Sequence, residues 1–394
     1  MREYLLTAAL AATFCFMLTP MVRKLAMASG AFIELRSRDM HTELTPRWGG
    51  LAMWGSMSIT FLIVDHLRLV GNAFGRELSG IFLAGTFIML LGALDDRFDL
   101  DSLTKFAGQA LAAGILLLHG VQILWLPING ITTLPSNIGA VLTVVFVMLV
   151  INAVNFVDGL DGLASGIVAV CATAFFAFSY ILAVDNGFSR AGAPSLVMAI
   201  VVGLCIGFLP HNYHPAKIFM GDSGAMFLGL LLSASAITLT GQIDVNAIAD
   251  QNSRTTFVPL ILPFTVLAIP LLDLGMAVVR RLRAGRSPFA ADREHLHHRL
   301  MRMGNSQREV AIIMYLWTAM FAFPTVIAAF YPLWISATVA LSIALLSILV
   351  IWRNFINSRG LLLPAAQNDM SAQNYLNYSN YSSESKGTKI DGIK

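Results

Sequence analysis

Long apolar runs, separated by short polar segments, dominate the pattern of this chain. Eleven runs come close to the ~20 apolar residues that a helix needs to cross a hydrocarbon core ~30 Å thick. They cover about residues 4–22, 48–66, 78–94, 106–126, 138–156, 163–184, 194–210, 224–240, 257–279, 310–330 and 332–352. The runs are apolar on every face, whereas the helices of a soluble bundle carry a polar face. We therefore predict an all-α polytopic membrane protein with about eleven transmembrane helices.

Composition and cysteine content support that prediction. Hydrophobic residues make up 56% of the chain and charged residues 12%, about half the ~25% that is typical of soluble proteins. Cys15, Cys171 and Cys205 all lie in apolar runs, and none forms a Cys-x-x-Cys pair. They are expected to be small buried residues rather than disulfide partners or metal ligands.

The distribution of Lys and Arg predicts the orientation in the membrane. With eleven spans, 21 of the 26 Lys and Arg residues fall in one set of loops and the C-terminal tail, and five fall on the other side. Basic residues favour cytoplasmic loops, so the N-terminus is expected outside and the C-terminus in the cytoplasm. Residues 1–352 then form one transmembrane domain. Residues 353–394 form a cytoplasmic tail, rich in Asn, Ser, Tyr and Lys, that is expected to be disordered.

Acidic and amide residues concentrate at the run ends that are predicted to face the cytoplasm. They are Asp95 and Asp96 after the third run, Asn152, Asn155, Asp158 and Asp161 at three-residue spacing, and Asp222 before the eighth run. Ionisable groups at membrane depth are costly, so a functional site is the default interpretation. Carboxylate and amide oxygens suit a hard cation such as Mg²⁺. Ordinary charged helix ends and polar contacts between helices are the alternatives.

Two further cytoplasmic segments carry groups that suit phosphates. Asp222 and Ser223 lie between glycines just before an apolar helix, where they would cap the helix or help it to bind a phosphate. The longest cytoplasmic loop contains the sequence Asp292-Arg-Glu-His-Leu-His-His298. A zinc site there would lack a nearby fourth ligand, so a phosphate grip by Arg and His is the preferred interpretation. Asp273, inside the ninth run, is expected to pair with a basic residue of the bundle.

A membrane transporter is the rival class to an enzyme. Transporters also carry intramembrane acids and broken helices, but their binding sites lie near the midplane of the bilayer. The polar clusters of this chain lie in or beside the predicted cytoplasmic loops. That placement favours an enzyme that works at the cytoplasmic face of the membrane.

Five motifs in this order resemble those of the polyprenyl-phosphate N-acetylhexosamine-1-phosphate transferases. They are Thr45-Pro-Arg-Trp-Gly-Gly50, Leu91-Gly-Ala-Leu-Asp-Asp96, Asn152-Ala-Val-Asn-Phe-Val-Asp-Gly-Leu-Asp-Gly162, Phe219-Met-Gly-Asp-Ser-Gly224 and Asp292-Arg-Glu-His-Leu-His-His298. The loop that begins at Ser287 is similar to the WecA/TagO-like branch of the family. The segment Phe208-Leu-Pro-His-Asn-Tyr-His-Pro-Ala-Lys217 is similar to its actinobacterial WecA-like members.

The resemblance implies a role for each of thirteen residues. It implies catalytic acids at Asp95, Asp96 and Asp158, and metal ligands at Asn155 and Asp222. It implies a lipid-phosphate contact at Lys105 and a uridine pocket at Asp161, Asn212 and Phe219. The implied pyrophosphate and sugar contacts are Arg293, His295, His297 and His298. The implied cofactor is Mg²⁺, or Mn²⁺ in its place. Residues 361–394 match no segment of the family.

The resemblance also implies a reaction and a location. The expected enzyme transfers GlcNAc-1-phosphate from UDP-GlcNAc to a polyprenyl phosphate and forms polyprenyl-diphosphate-GlcNAc and UMP, the first membrane step of a cell-envelope glycan. It is expected in the bacterial inner (plasma) membrane as a multi-pass protein, with its active site on the cytoplasmic face and no nucleic-acid partner. An MraY-like transferase that uses UDP-MurNAc-pentapeptide is the alternative within the family. A homodimer and a covalent aspartyl-phosphate step stay open.

Overall fold

The computed structural model describes residues 1–31, 45–66, 75–126, 132–184, 192–241, 262, 264–285 and 296–353. Helices make up nearly all of this part of the chain. They are α1 (Arg2–Ser29), α2 (Gly49–His66), α3 (Arg76–Phe98), α4 (Ser102–Leu118), α5 (Ser136–Val157), α6 (Leu163–Val184), α7 (Gly192–Asn212), α8 (Gly221–Gly241), α9 (Ala268–Arg283), α10 (Leu296–Arg302), α11 (Gln307–Phe330) and α12 (Leu333–Arg353). A short antiparallel hairpin, β1 (Trp125–Leu126) and β2 (Thr132–Thr133), joins α4 to α5.

Eight of the described helices are long and apolar enough to cross a membrane. These are α1, α3, α5, α6, α7, α8, α11 and α12. The helix α2 has 18 residues, and α4 and α9 have 17 and 16, so these three are shorter than most of the others. The predicted class, an all-α polytopic membrane protein, is confirmed. The number of crossings and the orientation of the termini stay predictions.

The helix α8 lies at the centre of the bundle. Its most apolar 18-residue window is entirely buried, whereas only 11% of the corresponding window of α12 is buried. Small residues allow this central position, because a Cβ atom at Gly229 would lie 2.7 Å from the Cα atom of Ile151 in α5. The helix α3 packs on another side, where Gly85 lies against the ring of Phe227. The core therefore forms around α8, with α2, α3, α5 and α7 beside it.

Glycines also bring α1 close to α7. Gly203 and Gly207 are one helical turn apart, and a Cβ atom on either would collide with the backbone of Ala8 or Ala12. Large apolar side chains such as Leu62 and Leu111 instead point outward and are mostly exposed. Outward apolar side chains on helices of this length are what a bilayer requires. All three cysteines are free and buried, as the sequence predicts.

Candidate active site

Helix ends that are distant in sequence meet at one face of the bundle. The C-terminal ends of α3, α5 and α7 lie there, together with the N-terminal ends of α2, α4 and α8. The convergence brings together five residues that the sequence singled out, namely Asp95, Asp96, Lys105, Asp158 and Asp222. The polar clusters thus share one face, as the sequence predicts.

Lys105 forms an ion bridge between two of the acids. Its Nζ atom lies 2.8 Å from Oδ2 of Asp95 and 3.0 Å from Oδ2 of Asp222. The turn between α3 and α4 makes this possible, because Oδ1 of Asp95 accepts a hydrogen bond from the backbone N–H of Leu100 at 2.8 Å. Asp101 then caps α4 by accepting from the backbone N–H of Thr104. Lys105 consequently starts from the first turn of α4, directly beside Asp95.

The side chain of Asp96 holds the first turn of α8 by bonding to backbone N–H groups of that turn. Its carboxylate accepts hydrogen bonds from the N–H groups of Asp222 at 2.8 Å and Ser223 at 3.1 Å. A helix N-terminus presents such unpaired N–H groups and a partial positive charge. Gly221 has a φ of 71°, and a Cβ atom there would collide with the Asp96 carboxylate. The acid that caps α8 therefore comes from α3. The sequence suggested instead that Asp222 or Ser223 caps this helix.

Asp158 follows the last residue of α5 and faces the same group of charges. Asp158 is half-buried; its desolvation and the like charges of Asp222 and Asp96 raise the pKa of its carboxyl to about 8. The positive charge of Arg47 opposes this rise. A site with this many acids in one place favours the binding of a cation.

The Thr45–Gly50 motif supports the loop before α8 through backbone hydrogen bonds. The N–H of Phe219 donates to the Pro46 carbonyl at 2.8 Å, and the N–H of Gly49 donates to the Phe219 carbonyl at 3.1 Å. Gly50 donates similarly to Met220 at 3.1 Å. The sequence identified this motif, but it predicted neither these contacts nor a role for Arg47. The place of Arg47 within the motif was the only signal for it.

The three residues expected in a uridine pocket lie in the turn after α5, at the end of α7 and in the loop before α8. Asp161 and Asn212 are 5% and 2% exposed, and both are hydrogen-bonded within the protein. Oδ1 of Asn212 accepts from the backbone N–H of Gly162 at 3.1 Å, and its Nδ2 donates to the Ile218 carbonyl at 3.0 Å. Phe219 is half-buried. The Asn212 bonds thus join the segments that carry Asp161 and Phe219, and the role of the three residues as uridine contacts stays a prediction.

The short helix α10 brings part of the predicted phosphate loop to the site. His297 is 1% exposed, and its ring lies against Gly159, next to Asp158. The ring of His298 lies beside it, tilted by 49°, with centroids 4.4 Å apart. Oδ1 of Asp273 accepts from the backbone N–H of Leu296, so this buried acid anchors α10. Arg293 and His295 lie outside the described residues.

Other polar residues of the predicted clusters act between helices. Nδ2 of Asn152 donates to Oε1 of Gln109 at 2.7 Å, which links α5 to α4 one turn from the acids. Among the described residues, no three His, Cys, Asp or Glu side chains are arranged to hold a metal by themselves. Mg²⁺ commonly takes only one or two protein carboxylates and completes its shell with substrate phosphates and water. The oxygens of Asp222 and Asn155, with Asp158 nearby, fit that pattern, and the assignment of Asn155 and Asp222 as ligands and of Asp158 as a catalytic acid stays a prediction.

Comparison with known proteins identifies the class of this chain. Residues 78–240, which contain the four acids, match the model of glycosyl transferase family 4. Over 338 residues the chain is 42% identical to a decaprenyl-phosphate N-acetylglucosaminephosphotransferase of Mycobacterium tuberculosis, with 84% of each protein covered. The chain belongs to glycosyl transferase family 4.

More distant relatives carry related names. A probable undecaprenyl-phosphate N-acetylglucosaminyl 1-phosphate transferase of Bacillus subtilis is 30% identical over 342 residues, which are 86% of this chain and 87% of the relative. An undecaprenyl-phosphate alpha-N-acetylglucosaminyl 1-phosphate transferase of Escherichia coli is 29% identical over 322 residues, 79% of this chain and 81% of the relative. The resemblance that the sequence motifs predicted is therefore confirmed.

Proposed function

We propose that this protein transfers GlcNAc-1-phosphate from UDP-GlcNAc to a polyprenyl phosphate and releases UMP. The observation that carries the proposal is the meeting of Asp95, Asp96, Asp158, Asp222 and Lys105 at one end of the bundle, in a chain whose relatives bear this activity in their names. A soluble sugar nucleotide and a membrane lipid can reach one another only at the membrane surface, and the ends of membrane-spanning helices are expected to lie there.

The reaction needs little proton transfer from the protein. A phosphate monoester has a second pKa of ~6, so the lipid phosphate is largely dianionic at neutral pH and is already a nucleophile. One of its oxygens forms a bond to the phosphorus that bears the sugar, while the bond from that phosphorus to the UMP oxygen breaks. Phosphoryl transfer of this kind depends mainly on positioning and on charge stabilisation.

Lys105 is placed to meet an incoming phosphate. It is the only charged donor that touches both Asp95 and Asp222 among the described residues, and its side chain stays partly exposed. Asp96 keeps the first turn of α8 in place, so the position of Asp222 does not depend on its own side chain. Phe219 lies at the end of the loop that precedes α8, where its half-buried ring can stack on a base.

A divalent cation fits the donor set of this site. Asp222 and Asn155 would hold Mg²⁺, with Asp158 nearby and the remaining positions left to water and substrate phosphates. When bound, Mg²⁺ would neutralise the nucleotide pyrophosphate and stabilise the leaving UMP oxygen. Arg47, close enough to influence Asp158, would limit the repulsion between these acids when the cation is absent.

The proposal places the site on the cytoplasmic side of a bacterial plasma membrane. The excess of Lys and Arg in the loops on this side of the bundle supports that orientation. Eleven apolar elements, α1 to α9 with α11 and α12, would then cross the membrane, including the shorter α2, α4 and α9. Cytosolic UDP-GlcNAc would reach the acids directly.

Purified protein in lipid nanodiscs tests the reaction. The assay supplies UDP-GlcNAc labelled in the sugar, Mg²⁺, and either decaprenyl or undecaprenyl phosphate. The expected products are a labelled lipid and an equal amount of UMP, both abolished by EDTA and restored by added Mg²⁺. A labelled lipid formed instead from UDP-MurNAc-pentapeptide, with none from UDP-GlcNAc, would reject the proposed donor.

A further inference from the structure

His214 lies in the segment between α7 and α8, and the site as described gives it no role. Its Nδ1 atom is 2.7 Å from Oδ2 of Asp161, and the backbone N–H of Ala216 donates to the same oxygen at 3.1 Å. A buried carboxylate needs donors of this kind to stay charged. We propose that His214 is a positioning residue. It fixes the Asp161 carboxylate and the turn after α5, which carries Asp158, so that the site can bind the nucleotide of the UDP-sugar.

A second set of bonds joins the same two segments. The N–H of Gly162 donates to Oδ1 of Asn212, and the hydroxyl of Ser165 donates to the same oxygen, both at 3.1 Å. Gly162 has a φ of 73°, so the turn is tight at this point. The turn after α5 is therefore joined to the end of α7 and to the segment after it both at Asp161 and at the residue that follows it. The His214 imidazole and the Ala216 N–H instead contact the Asp161 carboxylate itself.

The helix α11 contacts both the turn after α5 and the segment after α7. Nε of Arg308 donates to the His214 carbonyl at 3.0 Å, and its guanidinium lies 5.8 Å from the centre of the Tyr213 ring. The hydroxyl of Tyr315 donates to the Gly162 carbonyl at 2.5 Å. These contacts hold the backbone of His214 and of the turn after α5. Only rotation about the side-chain bonds of His214 can then change the position of its imidazole.

The role assigned to His214 depends on a donor at one ring nitrogen. Nδ1 donates to Asp161 both in the neutral form that is protonated there and in the charged form. An Asn side chain places an amide N–H near the position of Nδ1, whereas a Gln amide reaches toward the position of Nε2. Phe keeps the ring but has no donor. These three substitutions separate the hydrogen bond from the shape of the side chain.

His211 provides the matched control. It lies three residues earlier, and its Nε2 atom contacts the Phe16 carbonyl of α1 at 3.0 Å, while its ring packs against the Phe16 ring. Its side chain is thus directed toward α1 rather than toward the Asp161 turn. The substitution His211→Phe removes a nearby histidine, in the last turn of α7, and is expected to leave donor binding unchanged.

The test rests on the proposed function and measures steady-state kinetics in nanodiscs with saturating polyprenyl phosphate. His214→Phe is expected to raise KM for UDP-GlcNAc about tenfold or more with a smaller change in kcat, because it removes a hydrogen bond to a charged group. His214→Asn should stay within about threefold of wild type, and His214→Gln should resemble His214→Phe. In an Asp161→Ala background, His214→Phe should add little.

Three outcomes would overturn the role of His214. They are an unchanged KM in His214→Phe, equal defects in well-folded His214→Asn and His214→Gln, and fully additive effects of His214→Phe and Asp161→Ala. If His214→Phe fails to fold, as judged by gel filtration, the comparison of the Asn and Gln variants decides the question. His211→Phe must behave as wild type for any defect to count.

Equilibrium binding of UMP separates this inference from the proposed function. It needs no turnover, and UMP is common to both candidate donors. A wild type that forms no lipid-linked GlcNAc, yet binds UMP with an affinity lowered by His214→Phe and restored by His214→Asn, would reject the proposed donor and support the role of His214. A wild type that binds no UMP would overturn both.

Discussion

Two adjacent acids serve different partners in this site. Neighbouring residues of a helix point about 100° apart, so Asp95 and Asp96 leave the end of α3 in different directions. Asp95 meets the ammonium group of Lys105, whereas Asp96 meets two backbone N–H groups of α8. The C-terminus of a helix normally disfavours acids. Here the positive charge of Lys105 in α4 and the partial positive charge at the N-terminus of α8 compensate for that cost.

The substitution Asp222→Asn should lower turnover by about a hundredfold or more, since it removes a charge that positions both Lys105 and a cation. The thermal midpoint should change little, because Asp96 bonds the backbone of residue 222 rather than its side chain. Turnover across a Mg²⁺ titration and a thermal melt measure the two effects. Asp101→Asn is the matched control, because Asn also caps a helix. Wild-type rates in Asp222→Asn at every Mg²⁺ concentration would remove Asp222 from the metal site.

Phe219→Ala should raise KM for UDP-GlcNAc while kcat stays nearly constant. A stacked base contributes ~1–3 kcal/mol, and an interaction made equally in the ground state and the transition state affects binding alone. The backbone bonds of residue 219 to Pro46 and Gly49 remain in the variant. Phe321→Ala, at an exposed position of α11, is the control. A KM equal to that of wild type would show that the Phe219 ring only packs against the protein.

At the scale of elements, glycines decide how closely helices approach the first turn of α8. A Cβ atom at Gly50 of α2 would collide with the backbone of Ser223 and Gly224, and one at Gly92 of α3 would lie 2.5 Å from the backbone of Ser223. Trp48 adds a hydrogen bond from its indole to the Ala93 carbonyl at 3.0 Å. The position of the site therefore depends on backbone packing between α2, α3 and α8.

Gly92→Ala should destabilise the protein and impair turnover together. Overpacking of a close contact costs ~1–3 kcal/mol, and the shift would act directly on the turn that carries Asp222. Gly114→Ala in α4 is the matched control, because a Cβ atom there would meet no atom within 4 Å and Ala favours helix formation. The thermal midpoint and kcat of both variants are measured. Equal midpoints in the two variants would contradict the close approach at Gly92.

At the scale of the whole molecule, the charge asymmetry and the shared face of the site predict one orientation. The N-terminal end of α3 and the loop between α10 and α11 lie toward opposite ends of the bundle. Asp95 lies in the last turn of α3, at the site, and Tyr315 in the first half of α11 bonds the turn beside the site. Positions at these two places can report which end faces the cytoplasm.

A cysteine at position 303 should be protected from a membrane-impermeant maleimide in intact cells and labelled in inside-out vesicles. A cysteine at position 75 should show the reverse. Met303 and Gly75 are both exposed, and the three native cysteines are buried, so background labelling should be low. The unsubstituted protein provides the control. The opposite pattern at both positions would place the site on the outer face and would contradict the proposed access of cytosolic UDP-GlcNAc.

The sequence by itself determined the membrane class, the family and the residues of the acidic cluster. Apolar run length and charge placement are properties of the order of residues, so they need no tertiary information. The positions of Asp95, Asp158 and Asp222 at run ends were sufficient to predict that these acids share a face. Arg47 and His214 escaped that reasoning, because neither stands out from its neighbours by type or spacing.

Only the tertiary structure decided which groups touch. Asp96 caps α8 by accepting from an N–H group 126 residues later, and His214 holds an acid 53 residues before it. Lys105 bridges Asp95 and Asp222, and no local pattern distinguishes such a bridge from an ordinary lysine at a membrane surface. Hydrophobicity places a helix in the bilayer, but it does not encode which helices are neighbours. That choice depends on the packing of small residues such as Gly92 against a particular backbone, and the contacts of each side chain follow from it.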